Sequence, residues 1–375
     1  MAPRTFSIIK PTAIRQIRSS FSPITLTIWI IRIGILSVSL SAITSVVLTL
    51  FKPANIPLNS YNKTVKEVVK SKVSSETKSI SLDPPSHEGD QKSLPMKQQL
   101  SLLRNQILVL AKESPRLKPY VLFLDLDNGN YVDIDGTKEI SAASTIKTFV
   151  LYAFFQDVDS GKIRLDENLT MTQADIAEGS GDMQFQKPAT KYTALETVTK
   201  MIVISDNTAT NMLIRRLGGQ DILNKRIADL GMPSTYLKSA LPDLKGTNKT
   251  TARDIATLLY RINQGDMLSV ESRDRVLKIL SQTKIRTLLP QGLSDNSEIA
   301  HKTGDIGTIL GDAGIVKMPS GKRYIAVVFV ERPYNDISGR IMIQEISKIM
   351  DQGFKNPPLA NTNLPDMSSV KINKN

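Results

Sequence analysis

The sequence predicts an α+β domain: an antiparallel sheet flanked by helices, with an all-helical subdomain, preceded by one transmembrane helix. Three features carry that expectation. Two strand-like runs over 120–134 are followed by a long helix-rich middle, and two further strand-like runs then precede a closing helix. In front of them lies an apolar stretch, 24–51, whose only charge is Arg32.

Residues 1–23 carry Arg4, Lys10, Arg15 and Arg18 and read as a basic cytoplasmic tail. A run of about 20 apolar residues is what crossing a bilayer takes, so 24–51 reads as a membrane anchor. Its basic flank keeps the N-terminus inside and exports the remainder to the periplasmic or extracytoplasmic side. Arg32 lies near enough to the start to snorkel. Ser41-Ala42 and Thr44-Ser45 offer small residues for signal cleavage, but no Ala-x-Ala site follows, which favours an uncleaved anchor. Residues 52–95, rich in Pro, Ser, Lys and Asn, read as a flexible linker. A catalytic domain is expected over 96–355 and a polar tail over 356–375.

Within that domain a helical pattern starts near Met96, with Leu100, Leu103, Ile107, Leu108 and Leu110 on a broad apolar face. Apolar runs at 120–126 and 130–134 flank Asp127-Asn128-Gly129, a hairpin signal. Thr193 with Glu196, and Thr251 with Asp254, open two later helices, the second stopping by Gly265. Strands are expected at 313–318 and 323–331 around Pro319-Ser320-Gly321, then a last helix at 337–350. The N-terminal helix and strands can join the C-terminal strands in one sheet.

Composition narrows the chemistry. The net charge is +12, but 1–66 hold eight Lys or Arg and no acid, leaving +4 for the rest. With no nucleic-acid motif and few aromatics for base stacking, a nucleic-acid partner is not expected. Cysteine is absent, which removes disulfides, thiolate nucleophiles and zinc–thiolate sites. His87 and His301 are the only histidines, too few for a His-rich metal site. No metal and no cofactor are expected, and a serine hydrolase built from this chain needs a base other than histidine. Lysine fits.

Three short motifs follow one another: Ser144-Thr145-Ile146-Lys147, Ser205-Asp206-Asn207 and Lys302-Thr303-Gly304. Each alone is weak. Ser-x-x-Lys recurs at Ser7, Ser60, Ser75, Ser281 and Ser368, and Ser-Asp-Asn at Ser294 to Asn296. Context selects among the copies. Only Ser144 lies between a strand pair and an apolar helix, where unpaired N–H groups and the helix dipole favour developing negative charge. Lys147 is three residues on, within reach of the serine hydroxyl. A lysine is a base near neutral pH only if desolvation or another cation lowers its pKa, and Lys302 in the same cleft supplies the cation.

Together the motifs resemble the signatures of the penicillin-recognising serine enzymes, the class A β-lactamases and penicillin-binding proteins. The resemblance covers about 96–354 and is most specific at Tyr192-Thr-Ala-Leu-Glu-Thr-Val-Thr and around Ser205-Asp-Asn-Thr-Ala-Thr-Asn-Met-Leu213. It implies the β-lactamase/transpeptidase-like fold, with Ser144 as nucleophile and Lys147 as base. Ser205 and Lys302 relay the proton to the leaving nitrogen. It further implies that Asn207 binds the substrate's side-chain amide, and that Thr303 and Lys302 bind its carboxylate beside Gly304. The N–H groups of Asp305 and Ser144 become the oxyanion hole. Gly179-Ser180-Gly181 and Gln184 resemble a loop near the cleft mouth, and read equally as a plain surface loop.

Two departures stand out. Class A β-lactamases carry a glutamate between the second and third signatures that activates the deacylating water. The matching region, 235–248, has none, and Asp243 is its only acid. Asp305 stands where a small residue is common. The leading expectation is a serine hydrolase opening β-lactam amides through an acyl-enzyme on Ser144. The alternatives are a penicillin-binding peptidase acting on peptidoglycan peptides with slow deacylation of β-lactams, and a catalytically silent wall-binding module.

Overall fold

The computed structural model describes residues 93–356. The basic tail, the 24–51 anchor, nearly all of the linker and nearly all of the C-terminal tail lie outside the described residues. Among the described residues, no helix is long and apolar enough to cross a membrane.

Strands β1 (Lys118–Asp125) and β2 (Tyr131–Ile134) form the expected hairpin, with Gly129 at φ +78° closing its turn. Along its other edge β1 pairs over its full length with β9 (Arg323–Glu331). Next come β8 (Ile309–Lys317) and β7 (Glu298–Asp305), giving an antiparallel sheet in the order β2-β1-β9-β8-β7. The chain's early and late strands thus share one sheet, as expected. β7 is an edge strand, so its outer backbone groups have no partner within the sheet.

Both sheet faces are covered. Alternation sorts Val121 and Phe123 with Tyr324, Ala326 and Val328 onto one face. Helices α1 (Ser101–Glu113) and α8 (Ser338–Lys355) pack there through Leu103, Ile107, Ile343 and Ile346. Leu122, Leu124, Ile325, Val327 and Phe329 point to the other face, against a larger core. That core is built around α2 (Lys147–Asp159), ten of whose 13 residues are buried, the pattern of a helix surrounded by protein.

Around α2 stand α3 (Ala194–Val203), α4 (Asn207–Arg216), α5 (Gln220–Asp229), α6 (Ala252–Gln264) and α7 (Val270–Ser281). Helix starts follow the sequence. Thr193 accepts from the Glu196 N–H at 3.1 Å and Thr251 from the Asp254 N–H at 2.9 Å. Gly265 ends α6 in the left-handed region. Two short pairs complete the domain: β3 (Ile140–Ser141) with β6 (Lys249–Thr250), and β4 (Asn168–Thr170) with β5 (Lys191–Thr193).

One boundary moves. The helix expected from Met96 begins at Ser101, because the preceding backbone is spent on the hairpin: the Lys97 N–H donates to Gly129 and the Leu100 N–H to Tyr131.

Candidate active site

Ser144 sits on a 3-10 turn, Ala143–Ile146, that runs directly into α2. Ala143 ahead of it holds φ +46°, a conformation costly for a residue with a Cβ and common where function holds backbone in place. The turn packs on the edge strand β7. A Cβ added at Gly304 would lie 2.9 Å from both the Ser144 nitrogen and the Ala143 Cβ, so only glycine lets the strand come this close. Ser144 itself is half-buried, whereas Lys147 is fully enclosed.

Opposite, Ser205 joins α3 to α4 with φ +58°. Asp206 fixes this junction from inside. Its Oδ1 accepts the Ala209 N–H as the cap of α4, and its Oδ2 accepts the N–H groups of Asp182 and Met183 at 2.9 Å. Gly181, at φ +99°, lies so close that a Cβ would fall 2.1 Å from Asp206 Oδ2. The Gly179–Gly181 loop is therefore built onto the second motif. Gln184 Nε2 donates to the carbonyls of Gly179 and Gly181, and Ser180 lines the cleft.

Two lysines converge on one hydroxyl. Lys147 Nζ lies 3.2 Å and Lys302 Nζ 3.0 Å from Ser205 Oγ. Lys147 also donates to the Ser205 carbonyl at 2.7 Å and to Asn207 Oδ1 at 2.8 Å, and Lys302 to the Thr303 carbonyl at 2.9 Å. Burial pushes the Lys147 ammonium well below the ordinary lysine range, and the neighbouring Lys302 pushes it further, with Asp206 opposing. Lys302 is pushed down to about 7 by burial, against the pull of Asp312. Desolvation is the larger cause for both.

Of the residues named from sequence, Ser144, Ser205, Thr303, Gly304 and Asp305 line one cleft of about 230 Å³, and the Lys147 and Lys302 side chains reach Ser205 on its wall. Asn207 is buried, with Oδ1 on Lys147 and Nδ2 donating to the Glu178 carbonyl at 2.9 Å. One N–H and one lone pair of its amide stay available. Asp305 is tied down: Oδ1 accepts from Arg332 at 2.7 Å and from the Gly307 N–H at 2.8 Å.

The 235–248 loop is joined to the approach to Ser144: the Ala142 N–H donates to the Asn248 carbonyl and the Ser141 hydroxyl to the Gly246 carbonyl, both at 2.8 Å. Asn211 lies one helical turn after Asn207, on the same face of α4, and clamps Leu241 with two hydrogen bonds. Its Nδ2 donates to the Leu241 carbonyl at 2.9 Å and its Oδ1 accepts the Leu241 N–H at 3.0 Å. Asp243 is buried and spent within the loop on the Thr247 hydroxyl and the Asn248 N–H.

The second Ser-Asp-Asn copy is a loop feature. The N–H and hydroxyl of Ser294 both bind Asp351 on α8.

Arg340 escaped the sequence reading. Arg340, near the start of α8, lines the cleft mouth, is exposed and has no ion-pair partner among the described residues. No motif marks it.

This fold and site define a serine hydrolase of the penicillin-recognising type. The β-lactamase enzyme family matches residues 102–354, and the chain belongs to it. Curated relatives are more distant. The chain is 25% identical to β-lactamase BRO-1 of Moraxella catarrhalis over 217 residues, 56% of this chain and 69% of that one. It is 25% identical to β-lactamase CARB-3 of Pseudomonas aeruginosa over 183 residues, 46% of this chain and 63% of that one. Against CARB-3 the match therefore spans less than two thirds of the relative.

Solved structures cover more. PBP-A superposes with a TM-score of 0.69 at 48% identity, over 70% of this chain and 99% of that one. A point variant of PBP-A, captured as an acyl-enzyme with penicillin G, matches at 47% with the same TM-score and coverage. An ancestral class A β-lactamase matches with a TM-score of 0.63 at 26% identity, over 67% and 100% of the two chains.

Proposed function

We propose that this hydrolase opens β-lactam amides by acylating Ser144, and that it releases the acyl group slowly. Ser144 Oγ attacks the amide carbonyl carbon while Lys147 Nζ takes its proton. Two short donor bonds, to the Ser205 carbonyl and Asn207 Oδ1, use both N–H groups of a neutral amine and leave its lone pair for that proton. The carbonyl oxygen gathers charge between the N–H groups of Ser144 and Asp305. The C–N bond then breaks as the nitrogen takes a proton from Ser205 Oγ, replenished from Lys302. Thr303 and Lys302 hold the substrate carboxylate, and Asn207 offers its remaining N–H to the side-chain amide.

The observation that carries this reading is the pair of buried lysines meeting at Ser205 Oγ beside Ser144. Burying two amines side by side is expensive. A silent wall-binding module would have no use for it.

Slow release is supported by the 235–248 loop. A water attacking the ester needs a base, and the only carboxylate of the 235–248 loop is held by Thr247 and Asn248. Acylation is supported by the 48% identity with PBP-A, a point variant of which was captured as an acyl-enzyme with penicillin G, against about 25% with the curated β-lactamases. The natural substrate on this reading is a peptidoglycan peptide ending in a D-amino acid. We further propose that 24–51 anchors the chain in a membrane with the catalytic domain exported, which the basic flank and the apolar run support.

Intact-mass measurement of the full-length chain with benzylpenicillin tests the reaction. An added penicilloyl mass on Ser144 is expected, and an unmodified chain with no hydrolysed penicillin would reject it.

A further inference from the structure

The strand end that carries Asp305 is held from outside the cleft. Where β7 turns into β8, the Ile306 N–H donates to the Ile309 carbonyl at 3.1 Å. Backbone groups alternate in direction along an antiparallel pair, so the Asp305 N–H, one residue earlier, points away from β8 and off the free edge of the sheet. That N–H joins the Ser144 N–H in the acylation reading. An edge strand has no outer neighbour to fix where it points.

The bracing comes from residues 332–336, just beyond β9. Arg332 Nη2 donates to Asp305 Oδ1 at 2.7 Å and Nε to the Gly307 carbonyl at 2.9 Å. The Arg332 backbone N–H donates to the Thr308 carbonyl at 2.9 Å, and the Asn335 N–H to the Gly307 carbonyl at 3.0 Å. Arg332 Nη1 turns back to the Asp336 carbonyl at 3.1 Å, which ties the guanidinium to its own segment. Asp305 Oδ1 closes the set by accepting the Gly307 N–H at 2.8 Å. Gly307 holds φ +85° under the Tyr334 ring, which a Cβ would strike.

Arg332 is buried, while Asp305 is half exposed and lines the cleft. Arg332 is not among the residues of that lining. Burying a guanidinium carries a desolvation cost. Its planar fork meets several acceptors at fixed angles, which the single nitrogen of a lysine does not. The brace also accounts for an aspartate where a small residue is common. The Asp305 side chain is the handle by which Arg332 grips the residue whose N–H is used.

We propose that Arg332 is a positioning residue for the oxyanion hole: gripping the Asp305 side chain and the carbonyls of Gly307 and Thr308, it holds the Asp305 N–H where the substrate's carbonyl oxygen gathers charge. The inference rests on the acylation reading above.

The test uses the full-length chain and benzylpenicillin, with two readouts. Rapid mixing followed by intact mass separates the affinity of the first complex from the rate of acylation within it. Isotope-edited infrared spectra of the acyl-enzyme report the ester carbonyl, whose stretch falls in frequency when N–H groups donate to its oxygen. Arg332→Met fills the space without donors. It should slow the acylation step by about tenfold or more, part of what losing an oxyanion donor costs, and leave first-complex affinity within about twofold. Its ester band should move to higher frequency or split in two. Arg216→Met removes a clamp on Glu167 and the Lys162 carbonyl at the opposite end of α4 from Asn207. That control should keep both wild-type readouts even where its melting temperature falls. Should Arg332→Met show no cooperative melting, Arg332→Lys is measured in its place, with both changes expected at smaller size. A folded Arg332 variant with the wild-type ester band overturns the proposal, and so does a loss confined to the first complex. A wild-type chain that takes up no penicillin rejects the acylation reading and this inference with it, and the missing adduct tells that outcome apart.

Discussion

The cleft at Ser144 and the 235–248 loop beside its approach are built on different terms. In the cleft, Lys147 and Lys302 are buried against Ser205 Oγ, with β7 pressed onto the nucleophile's own N–H through Gly304. The loop, joined to Ala142 and clamped to α4 by Asn211, turns its lone acid inward. The cleft has what the proposed acylation requires. On the proposed reading the loop supplies no base for breaking the ester, so one half-reaction can weaken while the other stays intact.

The largest expected effect removes the cleft's nucleophile. Ser144→Ala should abolish the penicillin adduct, a loss of several orders of magnitude in acylation rate. Lys147→Met comes next, slowing acylation by about 10²–10⁴-fold. The same change should raise the melting temperature, because a buried amine is replaced by an apolar chain of similar length.

A smaller effect is linked to pH. Lys302 titrates near 7 in the folded chain against 10.5 for a free lysine, so between those values the unfolded chain binds more protons. Stability should therefore rise with pH across that window, and the rise should shrink in Lys302→Met. Melting curves from about pH 6 to about pH 10 check the sign. The smallest effect is Ser294→Ala, which should leave acylation unchanged and cost about 1 kcal/mol through the lost bond to Asp351.

That last variant also shows what the sequence revealed. Ser205 and Ser294 begin the same tripeptide, but the first joins two apolar helices, while the second lies in a loop a few residues before Lys302, too close to form the opposite wall. The hairpin and the capped helices were legible because period, caps and turn residues act locally. Arg340 was not, since its place in the cleft depends on how α8 crosses the sheet. Nor was the buried contact of His301 Nδ1 with Asp312 Oδ1 at 2.8 Å, which exists only through the β7–β8 register. The helix start near Met96 was misjudged because apolar spacing says nothing about backbone groups already committed to a neighbouring hairpin.

The most direct measurement is the lifetime of the penicilloyl adduct on Ser144, followed by intact mass after excess benzylpenicillin is removed. This account predicts an adduct that persists for a time long compared with its formation. Rapid return to the unmodified mass with release of penicilloate would contradict it, and would mean that a group other than an acid of the 235–248 loop activates the deacylating water.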